Sequence, residues 1–368
     1  MHLASSHTIK RFFRAFPFGC AGAFRVILKQ LFLWRLELKR PELIELTIDT
    51  MVMDNNEAVK RQGVEPTYKK VKGFQPLQVI WDGKIVDALF RNGRKNGNSG
   101  DTVANMVKSL VKFIRTNYDA EVTIVLRLDA GFFDQNLFCL FDELGIGFIC
   151  SGKMYENVKQ HVGEIAKECW CYYESGKYVW EYTEWNYQAV SWKDITYRAI
   201  YTRPVYDNNG QTLLEFARPD NVIVTNIGVC DEVFTHCSEE LEELLDSPDY
   251  IIRSHHLRGA DELPHRGLKD FGAQQLPFKR FAANSAFYYC MLIGFFLFET
   301  FKEDILDDIL PELTKSYPTT IRRTLVDFAV KIVRSSGRTV LKVTHATMEQ
   351  LKFDQLWYRL QNIIPLTD

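Results

Sequence analysis

The sequence predicts an α/β fold, because segments with strand character alternate with segments of helical periodicity between residues 42 and 150. Two apolar, β-branched runs, 42–48 and 122–128, are each followed directly by an acidic residue. Residues 102–117 instead repeat their apolar side chains at helical spacing. With 368 residues, 46% of them hydrophobic, the chain is long enough to bury cores in two domains.

The N-terminal residues 1–40 predict a helical segment. Their apolar side chains fall roughly on one helical stripe, at Ile27, Leu28, Leu31, Phe32 and Leu36. The segment is rich in Lys and Arg and contains a single acid, Glu37. A basic segment of this kind is compatible both with nucleic-acid contact and with an ordinary solvated face.

Residues 41–155 predict the first part of an α/β core. We expect a β-hairpin, Leu77–Trp81 and Lys84–Phe90, around the turn Asp82-Gly83. The other elements are a strand at 42–48, a helix at 102–117 capped by Asp101, a strand at 122–128, a helix at 134–144 ended by Gly145, and a strand at Ile146–Cys150. Three strands, then helix, strand, helix and strand, with acids ending the first and fourth strands, is the ribonuclease-H-like arrangement.

Residues 156–235 predict a β-rich insertion into this core. Tryptophan and tyrosine crowd the segment, and both residue types are enriched in strands. Gly176 and the turn sequence at 207–210 separate the strand-forming runs. Most of the aromatic side chains are expected to pack a small β core.

Helical periodicity returns in residues 236–303, which we expect to complete the core. Residues 304–368 form a C-terminal region, with a terminal helix or hairpin and a short strand at Leu341–Val343. The longest apolar stretch, Phe287–Phe298, is about half of the roughly 20 residues that a membrane-spanning helix needs. The sequence therefore predicts no contact with a membrane.

Charge and cysteine usage exclude several classes of protein. The net charge of −2 gives no global attraction to a polyanion, although basic clusters occur at 69–72 and 91–95. The eight cysteines lack metal-ligand spacing and predict reduced thiols in the cytosol. The sequence also lacks a P-loop and any Ser-His-Asp or Cys-His pattern of a hydrolase.

Asp49, Asp129 and Glu262 are the candidate catalytic and metal-binding residues. Asp49 and Asp129 end strand-like runs, and Glu262 lies in a segment with helical periodicity that also carries Arg258 and Lys269. Carboxylate oxygens from adjacent strand ends and a helix can hold two divalent cations for phosphoryl transfer. The competing interpretation is that each acid is a turn or cap residue, and that Arg258 and Glu262 form an i,i+4 salt bridge.

Three stretches of the sequence resemble DDE transposases, and the first is Ile48-Asp49-Thr50, which follows a strand-like run. Residues 126–133 resemble the strand-end pattern RxDxGF of those enzymes, with Asp129 as its acid. The spacing Arg258-x3-Glu262-x6-Lys269 fits the IS4-like signature, in which His255 takes the place of the signature's tyrosine. Together with residues 268–272 and 276–284, the chain looks most similar to the IS1380 family, from about residue 5 to the C-terminus.

The resemblance implies a cut-and-paste DNA transposase that cleaves the ends of its element and transfers the strands. It implies two Mg²⁺ ions as cofactors, with Mn²⁺ as a substitute, held by Asp49, Asp129 and Glu262. Double-stranded DNA is the implied partner, as terminal inverted repeats and as target, bound by a homodimer in a synaptic complex. The implied DNA-binding residues are His255, Arg258, Arg266, Lys269, Lys279 and Arg280. The implied location is cytoplasmic and nucleoid-associated.

Two other functions are compatible with the same sequence. The chain is either a truncated or domesticated DNA-binding protein without transposition activity, or a ribonuclease-H-like nuclease of another pathway. On the first alternative, the helical segment 1–40 is a remnant of a DNA-binding region. In related transposases an aromatic side chain of the insertion holds a flipped base during hairpin formation, a role for which Trp170, Trp180, Trp185 and Trp192 are candidates.

Overall fold

The computed structural model describes residues 4–57, 60–95, 97–175, 178–189, 192, 195–207, 220–335 and 337–362. The described strands are β1 Leu43–Thr50, β2 Met53–Asp54, β3 Glu65–Pro66, β4 Lys72–Phe74, β5 Leu77–Trp81, β6 Lys84–Leu89, β7 Thr123–Leu128, β8 Gly147–Ser151, β9 Cys171–Ser175, β10 Tyr178–Tyr187, β11 Tyr197–Asp207, β12 Asn221–Thr225, β13 Lys331–Ser335 and β14 Arg338–Lys342.

The described α-helices are α1 Ser6–Arg14, α2 Ala21–Lys39, α3 Thr102–Asn117, α4 Gln135–Glu143, α5 Glu156–Glu164, α6 Glu239–Asp246, α7 Pro248–Leu257, α8 Glu262–Phe271, α9 Phe281–Phe301, α10 Asp307–Ile309, α11 Pro311–Thr314, α12 Pro318–Leu325, α13 His345–Gln350 and α14 Phe353–Gln361. Short 3₁₀ turns precede α2 and α8, and a π-helical turn, Lys302–Leu306, follows α9.

One large mixed sheet forms the centre of the molecule. Its described strands run in the order β6-β5-β1-β7-β8-β12-β11-β10-β9. The central strands β1, β7 and β8 are parallel, whereas β5 and β6 on one side and β12 to β9 on the other are antiparallel. The predicted order of three strands, helix, strand, helix and strand is therefore confirmed, and the fold is mixed α/β.

The central strands are buried on both faces, as their continuous apolar sequences predict. Along β7, Ile124, Leu126 and Leu128 pack with α3 and α4 on one face. Val125 packs with α6 and α7 on the other face. Side chains alternate between the two faces along β7, so both faces of the strand are covered by helices. The polar groups that follow β7 therefore lie at the end of a strand in a rigid three-layer core.

Turn and cap residues fix the ends of several elements. Asp82 and Gly83 both have positive φ, 49° and 73°, as a tight two-residue hairpin turn requires, so the predicted β5–β6 hairpin is confirmed. Asp134 caps α4 by accepting the amide N–H groups of residues 136 and 137, and Gly145 follows the helix at φ 56°. Asp101 precedes α3, but the predicted side-chain cap is wrong: its backbone (φ −78°, ψ 16°) is not extended, and its carboxylate makes no cap hydrogen bond.

The N-terminal helix α2 is part of the core. Leu28, Phe32 and Leu36 are fully buried against the sheet and α9. Arg25 forms a bidentate ion pair with the buried Asp87, with both N–O distances at 2.7 Å. Residues 21–39 are therefore built into the domain that carries the sheet, and the idea that residues 1–40 derive from a DNA-binding region stays a prediction.

The strands of the predicted insertion extend the main sheet. β12 pairs with β8 through Val224 and Cys150, and β11, β10 and β9 follow outward as antiparallel neighbours. Gly176 and residues 208–210 of the predicted turns lie outside the described residues. The β-rich character of the segment was predicted, but period-two alternation does not specify which sheet a strand joins.

The helix α9 contains the longest apolar stretch. It is long and apolar enough to cross a membrane by length and composition alone, and 56% of the apolar window is buried within the protein. Its buried side chains, such as Tyr288 and Leu292, pack in the cluster that joins α2 to the β5–β6 hairpin. In this structure α9 is a core helix.

A small sheet of β2, β4 and β3 lies between β1 and the β5–β6 hairpin in the sequence. A Cβ atom on Gly73 of β4 would lie 2.1 Å from the carbonyl oxygen of Met53, so only glycine fits there. Strands of two or three residues leave no periodic pattern, and this sheet was not predicted. The turn between β3 and β4 reaches the candidate site described next.

Candidate functional site

Asp49 and Asp129 lie side by side at one edge of the sheet. β1 and β7 are parallel neighbours, and Ile48 of β1 is in register with Leu128 of β7. Asp49 follows Ile48 within β1 and is paired with Gln78 of β5, and Asp129 follows the last residue of β7, so the two aspartates lie at the same end of the two parallel strands. Neighbouring strands lie about 4.8 Å apart, which brings the two carboxylates within reach of a shared ligand. The register therefore brings two of the predicted acids together on neighbouring strands, and their catalytic and metal-binding roles stay predictions.

The Asp129 carboxylate is oriented by the turn that it begins. Its Oδ1 accepts the N–H of Gly131 at 2.8 Å and thereby caps the short 3₁₀ turn Ala130–Phe132. A Cβ atom on Gly131 would lie only 2.9 Å from that oxygen. The glycine of the RxDxGF-like segment thus permits the close approach of the backbone N–H to Asp129.

The Asp49 carboxylate is held between its own backbone and α8. Its Oδ1 accepts the N–H of Thr50 at 2.6 Å, and its Oδ2 lies 3.7 Å from Nδ1 of His265. Burial, with the nearby charges of Lys269 and Lys69, lowers the pKa of His265 to about 4. The ring is consequently neutral at pH 7, and it does not neutralise the charge of Asp49.

Glu262 is the first residue of α8, where the helix dipole stabilises a negative charge. Its side chain is 67% exposed, and its Oε2 lies 3.3 Å from Nη2 of Arg266, one turn further along α8. The charge of Glu262 contributes to the raised pKa of Asp49, so the two side chains interact electrostatically.

The three carboxylates form one electrostatic cluster. Burial raises the pKa of Asp49 to about 6, and the charges of Asp129 and Glu262 also raise it. The N–H of Thr50 and the guanidinium of Arg258 oppose this shift. A cation bound among these oxygens would relieve both the desolvation and the repulsion.

The donor set fits a hard divalent cation, since all three side chains present carboxylate oxygens. Within the part of the chain that the structure describes, no group of three or more His, Cys, Asp or Glu side chains is arranged closely enough to hold a metal ion. The exposed Glu262, which contacts Arg266, is the member that would have to turn toward the aspartates. The site thus has suitable ligands and lacks a preformed metal cage.

The comparison with known families decides the family of this chain. The family described as Transposase DDE domain group 1 matches residues 1–365. The chain belongs to this DDE transposase family. The match establishes the family at this level, and the closer resemblance to the IS1380 family stays a prediction.

Comparisons with individual proteins add little to the family match. No curated protein matches the chain. Among solved structures, the chain is similar to one described as a cryo-EM structure of the piggyBac transposase synaptic complex with hairpin DNA. That match has 11% sequence identity and a TM-score of 0.34, and it covers 88% of this chain and 59% of the other.

The sequence predicted that Arg258 and Lys269 lie on one continuous helix. In the structure they do not. Residues 258–261 form a 3₁₀ turn between α7 and α8, so Arg258 precedes the helix that begins at Glu262. Arg258 contacts the hydroxyl of Ser151 at 3.3 Å and makes no i,i+4 salt bridge with Glu262, whose partner is Arg266. Arg258 nevertheless lies near Asp49, because its charge lowers the pKa of that carboxyl.

His255, for which a contact with DNA was predicted, is buried in this structure. The ring is only 8% exposed, and its Nε2 lies 2.9 Å from the hydroxyl of Ser151. Burial, with the neighbouring charges of His256 and Arg258, lowers its pKa to about 3, so it is neutral at pH 7. A neutral ring inside the protein is suited to orienting Ser151, which Arg258 also contacts.

The other predicted DNA-binding residues lie at or near the surface. Arg266, Lys279 and Arg280 are exposed, and Lys279 and Arg280 immediately precede α9. Lys269 of α8 is half-buried, and burial and the nearby charge of Lys69 lower its pKa, although Asp54 opposes the shift. Lys269 therefore lies near Lys69, in the turn after β3, and near Asp54 of β2.

Sequence reasoning missed Tyr68 and the position of Lys69. Both lie in the turn from Thr67 to Val71, which the amide of Thr67 closes by donating to the carbonyl of Val71 at 2.9 Å. Tyr68 is 56% exposed, and its pKa is raised by partial burial and by the charges of Asp49, Asp129 and Glu262. The basic cluster at 69–72 was visible in the sequence, but no motif placed it beside the acids.

The four tryptophans of the insertion pack against neighbouring side chains. Trp192 is buried and stacks on Phe133 with a ring separation of 5.4 Å. Trp180 lies 4.4 Å from the ring of His256, Trp185 contacts His161, and Trp170 lies under Arg203. These contacts favour the structural interpretation of the four rings over a role in base flipping.

Proposed function

We propose that the protein is a transposase of the IS1380 group that cleaves DNA at the ends of its element and transfers the released strand. Asp49, Asp129 and Glu262 are the proposed catalytic residues. The observation that carries this proposal is the register of β1 and β7, which brings Asp49 and Asp129 to the same end of two parallel strands. Burial and the other two carboxylates also raise the pKa of Asp49, and a perturbed carboxyl group among other carboxylates is typical of sites that bind cations for catalysis.

The proposed cofactor is a pair of Mg²⁺ ions, for which Mn²⁺ can substitute. When bound, they would neutralise charge on the attacking and leaving oxygens of a phosphodiester. Asp49, Asp129 and Glu262 would hold these ions, and the Gly131 N–H and Thr50 N–H keep the two aspartates oriented. Water is the proposed nucleophile for the first cut, and the released 3′-hydroxyl attacks the opposite strand or the target.

Cations around the acidic cluster are the proposed contacts to the DNA backbone. Arg258 is suited to grip a phosphate bidentately, and Lys269 and Lys69 supply point charges. Arg266, Lys279 and Arg280 extend this basic surface. The proposed substrates are double-stranded terminal inverted repeats and target DNA, bound by a homodimer in the cytoplasm at the nucleoid.

One observation favours a second candidate function, a DNA-binding protein of the same family that does not cut. Glu262 contacts Arg266 at 3.3 Å, and the described residues contain no finished metal cage. An inactive chain would retain the fold and the basic surface. Its Glu262 would remain paired with Arg266 in the presence of divalent cations.

A cleavage assay on DNA that carries the inverted repeats flanking this gene separates the candidates. The wild-type chain should nick the repeat ends with Mg²⁺ and fail to do so with EDTA. Asp129→Asn should reduce the rate by at least about 1000-fold, equivalent to about 4 kcal/mol of transition-state stabilisation. Asp119→Asn, which removes an exposed carboxylate elsewhere, is the matched control.

Equal cutting by the wild type and Asp129→Asn would contradict the assignment of the catalytic acids. Binding of the repeats without any cutting would support the second candidate function. Cutting that depends on Asp129 but not on the repeat ends would identify a nuclease of another pathway.

A further inference from the structure

The hairpin β13–β14 is a basic ribbon outside the acidic site. Its four Lys and Arg residues are Lys331, Arg334, Arg338 and Lys342, and the sequence contains no acid between Asp327 and Glu349. All four are exposed. In the described part of the chain, none of the four takes part in an ion pair, so their charges are available to a partner.

The ribbon makes little contact with the rest of the protein. Of its apolar side chains, Ile332 and Leu341 are 66% and 61% exposed, and none of the ribbon's residues belongs to a described core cluster. A two-stranded hairpin without a packed face is only marginally stable in water. A binding partner would therefore add most of the ribbon's stabilising contacts.

The cross-strand register places like charges together. Lys331 lies directly opposite Lys342, a pairing that destabilises an isolated hairpin. Arg338, opposite Ser335, shares their face, because it lies four pairs further along the ribbon, an even number. The distance between these two ends of the face is about 13 Å, which is similar to the roughly 12 Å width of the B-DNA major groove.

We propose that the β13–β14 ribbon is a second DNA-binding surface, which contacts the phosphates on both edges of a groove in duplex DNA. The proposal rests on the proposed function, because it adds a contact to the DNA that the acidic site would cut. Duplex DNA is favoured over a second copy of the chain as the occupant. Two copies of this ribbon would set four cations against four cations, whereas a polyanion relieves the repulsion between Lys331 and Lys342.

The salt dependence of binding tests this proposal. The probe is a 30-base-pair duplex of arbitrary sequence, titrated by fluorescence anisotropy in EDTA so that no cleavage occurs. Each lost phosphate contact reduces the slope of log K against log salt concentration by about 0.9. The variant K331Q/R334Q/R338Q/K342Q should therefore bind more weakly, with a slope reduced by about 2 to 4.

The matched control is K108Q/K112Q/K159Q/K167Q, which removes four exposed lysines from α3, α5 and the turn after α5. It changes the net charge equally and should leave the slope nearer to that of the wild type. The ribbon variant should also keep the wild-type melting temperature, since the ribbon lies outside the core clusters.

A ribbon variant with the slope of the control would overturn the proposal, as would a wild-type chain that does not bind the duplex. If I332T/L341T lowers the oligomeric state while the ribbon variant binds DNA normally, the surface is a contact between copies instead. The proposed catalytic function is tested separately, by the cleavage assay with Asp129→Asn. If the ribbon variant shows the change in slope but the wild-type chain cuts no DNA, the ribbon proposal is supported and the catalytic assignment is contradicted.

Discussion

Replacement of Asp49 by Asn is expected to stabilise the fold at neutral pH and to remove the proposed activity. Burial and the charges of Asp129 and Glu262 together raise the pKa of Asp49 to about 6, although the Thr50 N–H and Arg258 oppose the shift. A carboxyl whose pKa is higher in the folded state destabilises that state whenever the pH keeps it ionised. Asparagine has the same shape without the charge.

The size of the effect follows from the shift. The ordinary value for Asp49 is 3.8, and each pKa unit corresponds to about 1.4 kcal/mol, so the ionised carboxylate costs the fold at most about 3 kcal/mol. Because 28% of the side chain reaches solvent, we expect a measured gain of about 1–2 kcal/mol. The amide oxygen of Asn can still accept the Thr50 N–H, now at 2.6 Å.

Urea denaturation without divalent cations, at about pH 8, 6 and 4, measures this gain. The gain should be complete above the folded-state pKa near 6, shrink as the pH falls through that value, and be lost below 3.8, where both states are protonated. Asp119→Asn, at an exposed site, is the control for loss of one charge. If Asp49→Asn is less stable than the wild type at pH 8, or if its gain persists unchanged at pH 4, the account of the acidic cluster is refuted.

Two further predictions concern the turn over the site and the network at α9. Tyr68→Ala should reduce DNA cleavage by about 10- to 100-fold, since an aromatic ring beside the acids can stack on a base. Tyr68→Phe keeps the ring and should retain activity. Tyr172→Ala, at another exposed tyrosine, should have no effect in the same assay. Glu303→Gln should lower the free energy of unfolding by about 1–2 kcal/mol at pH 7, because it removes the nearer of the two carboxylates that pair with the nearly buried Lys84. The ion pairs with Lys84 and Lys39 lower the pKa of Glu303 to about 2, although burial opposes this shift. The difference in free energy of unfolding between Glu303→Gln and the wild type, measured by urea denaturation, should therefore be present above pH 4.5 and disappear as the pH falls toward 2.

The parts of the site that lie on strands could be predicted from the sequence. Asp49 and Asp129 each follow an apolar run, and parallel neighbouring strands bring their ends to one edge of the sheet. The helical segment after residue 236 was also predicted, but its break at 258–261 was not. Helical periodicity records which side chains are apolar, and it does not distinguish a continuous α-helix from two helices joined by a 3₁₀ turn.

Residues whose role depends on tertiary contacts could not be predicted. His255 has the sequence context of a surface residue, yet α7 turns its ring inward against Ser151. Tyr68 reaches the acids through the small sheet, whose strands are too short to leave a pattern. In both cases the position of the side chain is set by packing between distant segments, which local sequence does not encode.

The proposed binding of DNA has to be reconciled with a net charge of −2. Three carboxylates at the proposed catalytic site would repel a phosphodiester, so the proposed binding must depend on cations elsewhere. Arg258 acts on Asp49, Lys69 and Lys269 lie near each other, and the β13–β14 ribbon supplies four more charges in a segment free of acids. Because divalent ions would be needed to reverse the repulsion at Asp49, affinity in EDTA should come from the ribbon and the flanking cations. Added Mg²⁺ should then tighten binding in the wild type more than in Asp49→Asn.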